Sequence, residues 1–199
     1  MKLGQWLNRH RAWGVLPLLV LGLFARSGEF SVRTGVLMMI AGGLGIFSGT
    51  LLRIICRTFT KPETDDASQN ADLVTDGPFA ISRNPVYLAE AAIALGIAMM
   101  SRMPWLVVVT LLLGLTVYGL IIEWQEERFR EAVPAAFAAY VRLVPRWFSF
   151  RTLLDTETYL KSRGRVGLLT AVRGESLTLL VALVAILAFI AKANLELYL

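Results

Sequence analysis

Between Val86 and Ile122 the chain carries only two charged side chains, Glu90 and Arg102. So long an apolar run has few ways to fold, and a helix that crosses the hydrocarbon core of a bilayer needs about 20 such residues. The Arg102-Met103-Pro104 corner divides the run into segments 86–103 and 104–122, which read as a tight helical hairpin. Further apolar segments lie at 12–25, 35–55 and 176–191. The expected fold class is all-α, a polytopic membrane helical bundle with about five transmembrane helices.

Composition agrees. Hydrophobic residues make up 56% of the chain and charged residues only 18%, against about 25% charged in ordinary soluble domains. Cys56 is the sole cysteine and His10 the sole histidine. An internal disulfide and a cysteine metal cluster are excluded, and histidine metal sites or Ser-His-Asp triads are disfavoured, so no metal is expected. The net charge of +5 fits basic cytoplasmic loops better than a nucleic-acid partner.

Segment 12–25 follows Lys2, Arg9 and Arg11, as the apolar part of a signal peptide would. The sequence LFARSGE after it lacks a small-x-small cleavage pattern, so the segment is expected to be retained. With the N-terminus inside, segments 1–11, 53–85 and 123–175 hold sixteen of the twenty Lys and Arg. Cytoplasmic loops carry such an excess. The expected topology is N-terminus inside and C-terminus outside, in a bacterial or other cytoplasmic membrane, with the polar segments on the cytoplasmic face.

Small residues mark packing faces. Gly42, Gly45 and Gly49 recur in segment 35–55, and Ala92 and Gly96 share a face of segment 86–103. Such spacings let helix backbones approach closely.

Three polar clusters could carry chemistry. The first is GPFAISRNPVYLAE, residues 77–90. Gly77-Pro78 makes a turn, Asn84 suits an N-cap, and Pro85 suits the first turn of a helix. That leaves Arg83, Tyr87 and Glu90, and an acid about one turn into an apolar segment needs a partner or water. A helix N-terminus beside an arginine also attracts anions. The second cluster is EWQEERF. No breaker interrupts the helix from Trp105 to Val133, so it is expected to run past the membrane to Pro134. Its end carries Glu123, Glu126, Glu127 and Glu131, with Arg130 one turn beyond Glu126. The third is YVRLVPRWF, with Tyr140, Arg142, Arg146 and Trp147. It reads as an interfacial anchor or as a basic contact for a carboxylate or phosphate.

Taken in order, Gly77-Pro78-Phe79, Arg83-Asn84-Pro85-Val86-Tyr87, Glu126-Glu127, Phe137, Tyr140 and Val144-Pro145-Arg146-Trp147 resemble the integral-membrane methyltransferases of the isoprenylcysteine carboxyl methyltransferase and phospholipid N-methyltransferase families. The resemblance covers residues 77 to 147. It implies a cytoplasmic-side pocket for S-adenosylmethionine lined by Gly77, Pro78, Phe79, Arg83, Asn84, Pro85, Tyr87, Leu88, Glu126 and Glu127. It further implies Arg83, Glu127 and Arg146 as catalytic residues, and Tyr140, Arg142, Arg146 and Trp147 as acceptor contacts. The acceptor would be a membrane lipid or lipidated molecule reached from the bilayer.

This chain departs from the family pattern in three places. Asn84 stands where the pattern has histidine, and Asn does not titrate near neutrality. Pro134 stands where a glycine-containing turn is usual. Residues 151–199 run past the usual end, which suggests a core of residues 1–150 followed by a basic amphipathic segment and an extra C-terminal helix. Methyl transfer asks mainly for proximity and orientation. A carboxylate acceptor needs a cation such as Arg146 or Arg142, whereas an amine must lose a proton to a Glu or a water. Both acceptor chemistries stand open, as does a non-catalytic alternative, a small transporter or assembly factor.

Overall fold

The computed structural model describes residues 3–10, 14–28, 30–60, 73–148 and 164–197. Every regular element among them is helical. Helix α1 spans Leu3–His10, α2 Val15–Phe24, α3 Val32–Phe59, α4 Pro85–Met100, α5 Pro104–Ala132 and α6 Pro134–Leu143. A short turn of 3-10 helix, Gly77–Ala80, precedes α4, and α7 (Leu168–Gly174) and α8 (Ser176–Leu197) close the chain.

Local chemistry sets these boundaries. The Ser31 hydroxyl accepts the Thr34 N–H at 3.2 Å and caps α3. Helices α4, α5 and α6 each begin on a proline, which lacks the N–H that a first turn leaves unpaired. The hairpin corner between α4 and α5 turns through Arg102 at φ 57°. There the Gly28 N–H donates to the Arg102 carbonyl at 3.0 Å, and the Ser27 hydroxyl donates to the Ser101 carbonyl at 3.1 Å.

Helices α3, α5 and α8 are long and apolar enough to cross a membrane, and the chain is an integral membrane protein on that ground. The other two expected crossings are shorter. Helix α4 has 16 residues and α2 has 10, or about 24 and 15 Å at 1.5 Å per residue. Pro85 and the Ser101–Met103 corner fix the ends of α4, and α2 stops at Ala25, whose N–H closes on the Leu21 carbonyl. The boundary expected at residue 150, with Arg151, Lys161 and Arg163 of the basic segment, lies outside the described residues.

Helices α3 and α4 run antiparallel with their backbones nearly touching. A methyl on Gly42 would stand 2.6 Å from the Gly96 carbonyl oxygen, one on Gly49 2.6 Å from that of Ala89, and one on Gly96 2.8 Å from the Ile46 nitrogen. The small residues at 42, 45, 49, 92 and 96 thus form one contact strip. Beyond it Ile46, Ile93, Ile97 and Met100 pack with Ala182, Ala185 and Phe189 of α8. The C-terminal helix therefore braces the α3–α4 pair.

Glu90 departs from the sequence reading, which grouped it with Arg83 and Tyr87 at the mouth of α4. It faces α3 instead and pairs with Arg53. Arg53 Nε also donates to Glu175 at 2.5 Å, and Thr178 donates to the same carboxylate at 2.8 Å. Ile93, three positions after Glu90, also meets α3 at Gly49, so Glu90 lies beside the α3 contact.

Gly96→Ala and Gly49→Ala are expected to force these backbones apart and cost about 1–3 kcal/mol, the usual range for overpacking. Gly43 has open space around its Cα, so Gly43→Ala should be neutral or stabilising by up to about 1 kcal/mol through helix propensity. Thermal unfolding of the three variants in one detergent checks the contrast.

Candidate active site

Gly77 adopts φ 59°, and a Cβ there would strike the Phe59 ring. Only glycine fits both conditions, so the turn is held against the end of α3. The Phe79 carbonyl accepts the Tyr140 hydroxyl at 2.6 Å, which ties the turn to α6. Burial pushes the Tyr140 phenol above its ordinary range, partly offset by the nearby Arg83 guanidinium.

Asn84 sits at the N-cap position of α4, but its side chain makes no capping bond. Its Nδ2 donates to the Arg146 carbonyl at 2.8 Å instead. The Arg83 N–H donates to the Pro145 carbonyl at 3.0 Å, and the Ser82 hydroxyl to the Arg146 carbonyl at 3.4 Å. The backbone after α6 is thereby stitched across the mouth of α4.

This stitching delivers Arg146 to Glu126. Arg146 Nη2 donates to Glu126 Oε2 at 2.6 Å and its Nε to Oε1 at 3.2 Å, a two-pronged pairing. Arg83 Nη1 lies 3.0 Å from Oε1, and Arg130 Nη2 lies 3.6 Å from Oε2. Glu126 is only 4% exposed, so the carboxylate is buried beneath three guanidinium groups. Its hydrogen bond holds the Arg146 guanidinium above its ordinary range against the opposing effect of burial, with further support from the charges of Glu126 and Glu123. Arg83 Nε is buried with no hydrogen-bond partner among the described residues.

An apolar groove of about 300 Å³ lies between α4 and α5 and reaches Trp147, the residue after Arg146. Leu88, Ala91, Ala94 and Leu95 line one side, Thr110, Leu111, Gly114 and Leu115 the other, and Tyr118 and Trp147 flank it as well. Small side chains open it, and a Cβ on Gly114 would meet nothing closer than Tyr118 at 3.9 Å. Tyr87, buried beside it, shares its hydroxyl between Gln125 Oε1 at 3.1 Å and Asn8 Oδ1 at 3.3 Å.

The structure thus gathers Gly77, Pro78, Phe79, Arg83, Asn84, Pro85, Tyr87, Glu126, Tyr140, Arg146 and Trp147 at one end of the bundle. Leu88 lies in the groove, one turn from that end. Glu127 and Arg142 are exposed, on α5 and α6 respectively. Glu126 is the carboxylate on which the arginines converge. Sequence reasoning passed over Tyr118, Asn8 and Gln125. A signal for Tyr118 existed: Tyr118, Ile122, Glu126 and Arg130 recur at every fourth position and so share one helix face.

The fold is a membrane-helix bundle with a buried ionic cluster at one end and an apolar groove that reaches Trp147. The sequence model of the phospholipid methyltransferase family matches residues 30–133, just over half of the chain, and the chain belongs to this family. It is also similar to the cobalt-zinc-cadmium resistance protein CzcN of Cupriavidus metallidurans, at 29% identity over 78% of this chain and 71% of that protein. The nickel-cobalt-cadmium resistance protein NccN of Alcaligenes xylosoxydans xylosoxydans is 25% identical over 79% of this chain and 74% of that protein. No solved structure matches the chain.

Glu126→Gln removes the charge that compensates Arg83, Arg130 and Arg146, so it should lower the unfolding temperature markedly. Arg146 and Arg130 reach solvent, which keeps the cost below the roughly 3–5 kcal/mol of breaking a fully buried pair. Glu127→Gln, at an exposed position, should stay within about 0.5 kcal/mol of the parent. Parallel thermal melts of the two variants compare them directly.

Proposed function

We propose that the protein is an S-adenosylmethionine-dependent methyltransferase acting on a lipid or other hydrophobic acceptor in the membrane. The observation that carries this reading is the buried Glu126, crowned by Arg83 and Arg146, at the end of an apolar groove. Membership of the phospholipid methyltransferase family supports it.

The donor set fits S-adenosylmethionine. Its carboxylate asks for guanidinium donors, and beside Arg146 Arg83 offers a buried Nε with no partner among the described residues. Its ammonium and ribose hydroxyls ask for acceptors, which Glu126 and Glu127 supply. When bound, S-adenosylmethionine supplies an electrophilic methyl group on a sulfonium. Gly77, Pro78, Phe79, Asn84 and Pro85 would shape the polar end of the pocket, with Tyr87 and Leu88 leading toward the groove. Arg146 and Arg142, with Tyr140 and Trp147, would orient an acceptor whose hydrocarbon part lies in the groove. Arg83, Glu127 and Arg146 are the proposed catalytic group. For a carboxylate acceptor the arginines provide orientation alone; for an amine, a Glu or a water must also take a proton.

The N-terminus and site are assigned to the cytoplasmic side and the C-terminus to the opposite side. Residues 1–150 form the proposed methyltransferase core. Residues 151–199 form an appended basic segment and helix.

A second reading, a non-catalytic membrane protein such as a transporter or assembly factor, draws on the resistance names of the two relatives. Among the described residues no three His, Cys, Asp or Glu side chains converge to hold a metal ion.

Titration of the detergent-solubilised protein with S-adenosylmethionine decides between the two. Binding at micromolar concentration is expected, and Glu126→Ala should weaken it on the order of 10- to 100-fold, the scale of one lost charged hydrogen bond. No binding at high micromolar concentration would favour the second reading. A radiolabelled methyl donor with fractionated membrane lipids identifies the acceptor.

A further inference from the structure

We propose that Tyr118 and Trp147, with the buried Tyr87 packed behind Tyr118, form an aromatic wall that recognises a sulfonium cation. The site would thereby favour the methyl-bearing S-adenosylmethionine over its neutral thioether product. The inference rests on the reading of the site given above and names residues that set its ligand preference.

Three observations carry it. First, the aromatic side chains are concentrated at one place. The groove between α4 and α5 is otherwise lined by Leu, Ala, Gly and Thr, and its two aromatic lining residues, Tyr118 and Trp147, lie toward the ionic cluster. Second, the spacing suits an extended ligand. Trp147 follows Arg146 directly, and on α5 Ile122 and Tyr118 stand one and two turns from Glu126, about 6 and 12 Å along the axis. A ligand gripped at its carboxylate and ammonium by Arg83, Arg146 and Glu126 would present its next charged atom between them.

Third, these rings are not a membrane-interface belt. Belt aromatics face headgroups, whereas Tyr87 is buried and its hydroxyl is tied to Asn8 and Gln125. Tyr118 lies against it with ring centroids 5.5 Å apart and planes tilted by 30°. Trp147 packs on the same cluster of Tyr87, Ile121 and Ile122. A cation held against such faces away from water gains stabilisation that a neutral sulfur does not.

The test is a pair of calorimetric titrations on the full-length protein in nanodiscs, one with S-adenosylmethionine and one with S-adenosylhomocysteine. The readout is the ratio of the two affinities. Tyr118→Leu should lower that ratio, to the disadvantage of the sulfonium ligand, by about three- to thirtyfold. Tyr118→Phe, which keeps the ring, should preserve it. Trp147→Leu should lower the ratio in the same direction and serves if Tyr118→Leu does not fold. Two bound ligands with an unchanged ratio in the leucine variant would overturn the inference and leave the proposed function standing. Failure of the parent protein to bind either ligand would overturn both.

Discussion

The Glu126 carboxylate sets the terms for one whole end of the molecule. An acid buried where a membrane helix emerges is costly unless cations compensate it. Here the cations come from three separate elements: Arg83 before α4, Arg130 on α5 itself and Arg146 after α6. Satisfying one carboxylate therefore draws the chain beyond α6 back over the mouth of α4. The bonds from the Arg83 N–H to the Pro145 carbonyl and from the Asn84 side chain to the Arg146 carbonyl follow from that approach. The site is the by-product of a charge that must be paired. A cluster of one carboxylate and three guanidinium groups, one of them with a buried Nε that has no partner among the described residues, carries an excess of positive charge.

Helix α4 can serve as a fixed wall because it is held on two sides. Toward α3 the backbones meet at glycine and alanine, and the Glu90–Arg53–Glu175 cluster links α4 through α3 to the start of α8. Toward α5 the contact is strong only at the ends. Ala98, Met103 and Leu106 pack at the corner, and Tyr87 packs with Ile121 and Ile122 near the site. Between those ends the hairpin separates around Ala94, Thr110 and Gly114, and the groove occupies the space. Small residues thus do opposite things on the two faces of one helix. Matched across α3 they close the gap; unmatched across α5 they leave it open.

Much of this was legible in the sequence, for identifiable reasons. The hairpin corner, the three proline starts and the unbroken run of α5 to Ala132 are local features, and local chemistry decides them. The glycine strip was visible because its spacing is periodic. What escaped notice depended on partners distant in the chain. Glu90 could not be assigned a side without knowing that Arg53 and Glu175 face it. Glu126 and Glu127 are neighbours in sequence, yet helix geometry buries one and exposes the other, and only the positions of Arg83 and Arg146 reveal which. Tyr118 carried a signal in its fourfold spacing to Glu126, but it was masked by the apolar run that surrounds it.

Asn84 shows how a departure from a family pattern can be read once its surroundings are known. The pattern has histidine at this position, which invites the thought of a titrating base. In this chain the side chain points away from that role. Its amide nitrogen donates to the Arg146 carbonyl, while its backbone N–H donates to the Ser82 hydroxyl at 3.1 Å. The first holds the segment that carries Arg146 in register with the start of α4, and the second fixes the Ser82 hydroxyl, which itself donates to the Arg146 carbonyl. A histidine ring nitrogen can donate to a carbonyl just as well, so the feature the two residues share is a positioned donor rather than a proton acceptor. The geometry of the arginines depends on that donor, and a chemistry that relies on orientation more than on proton transfer tolerates the exchange.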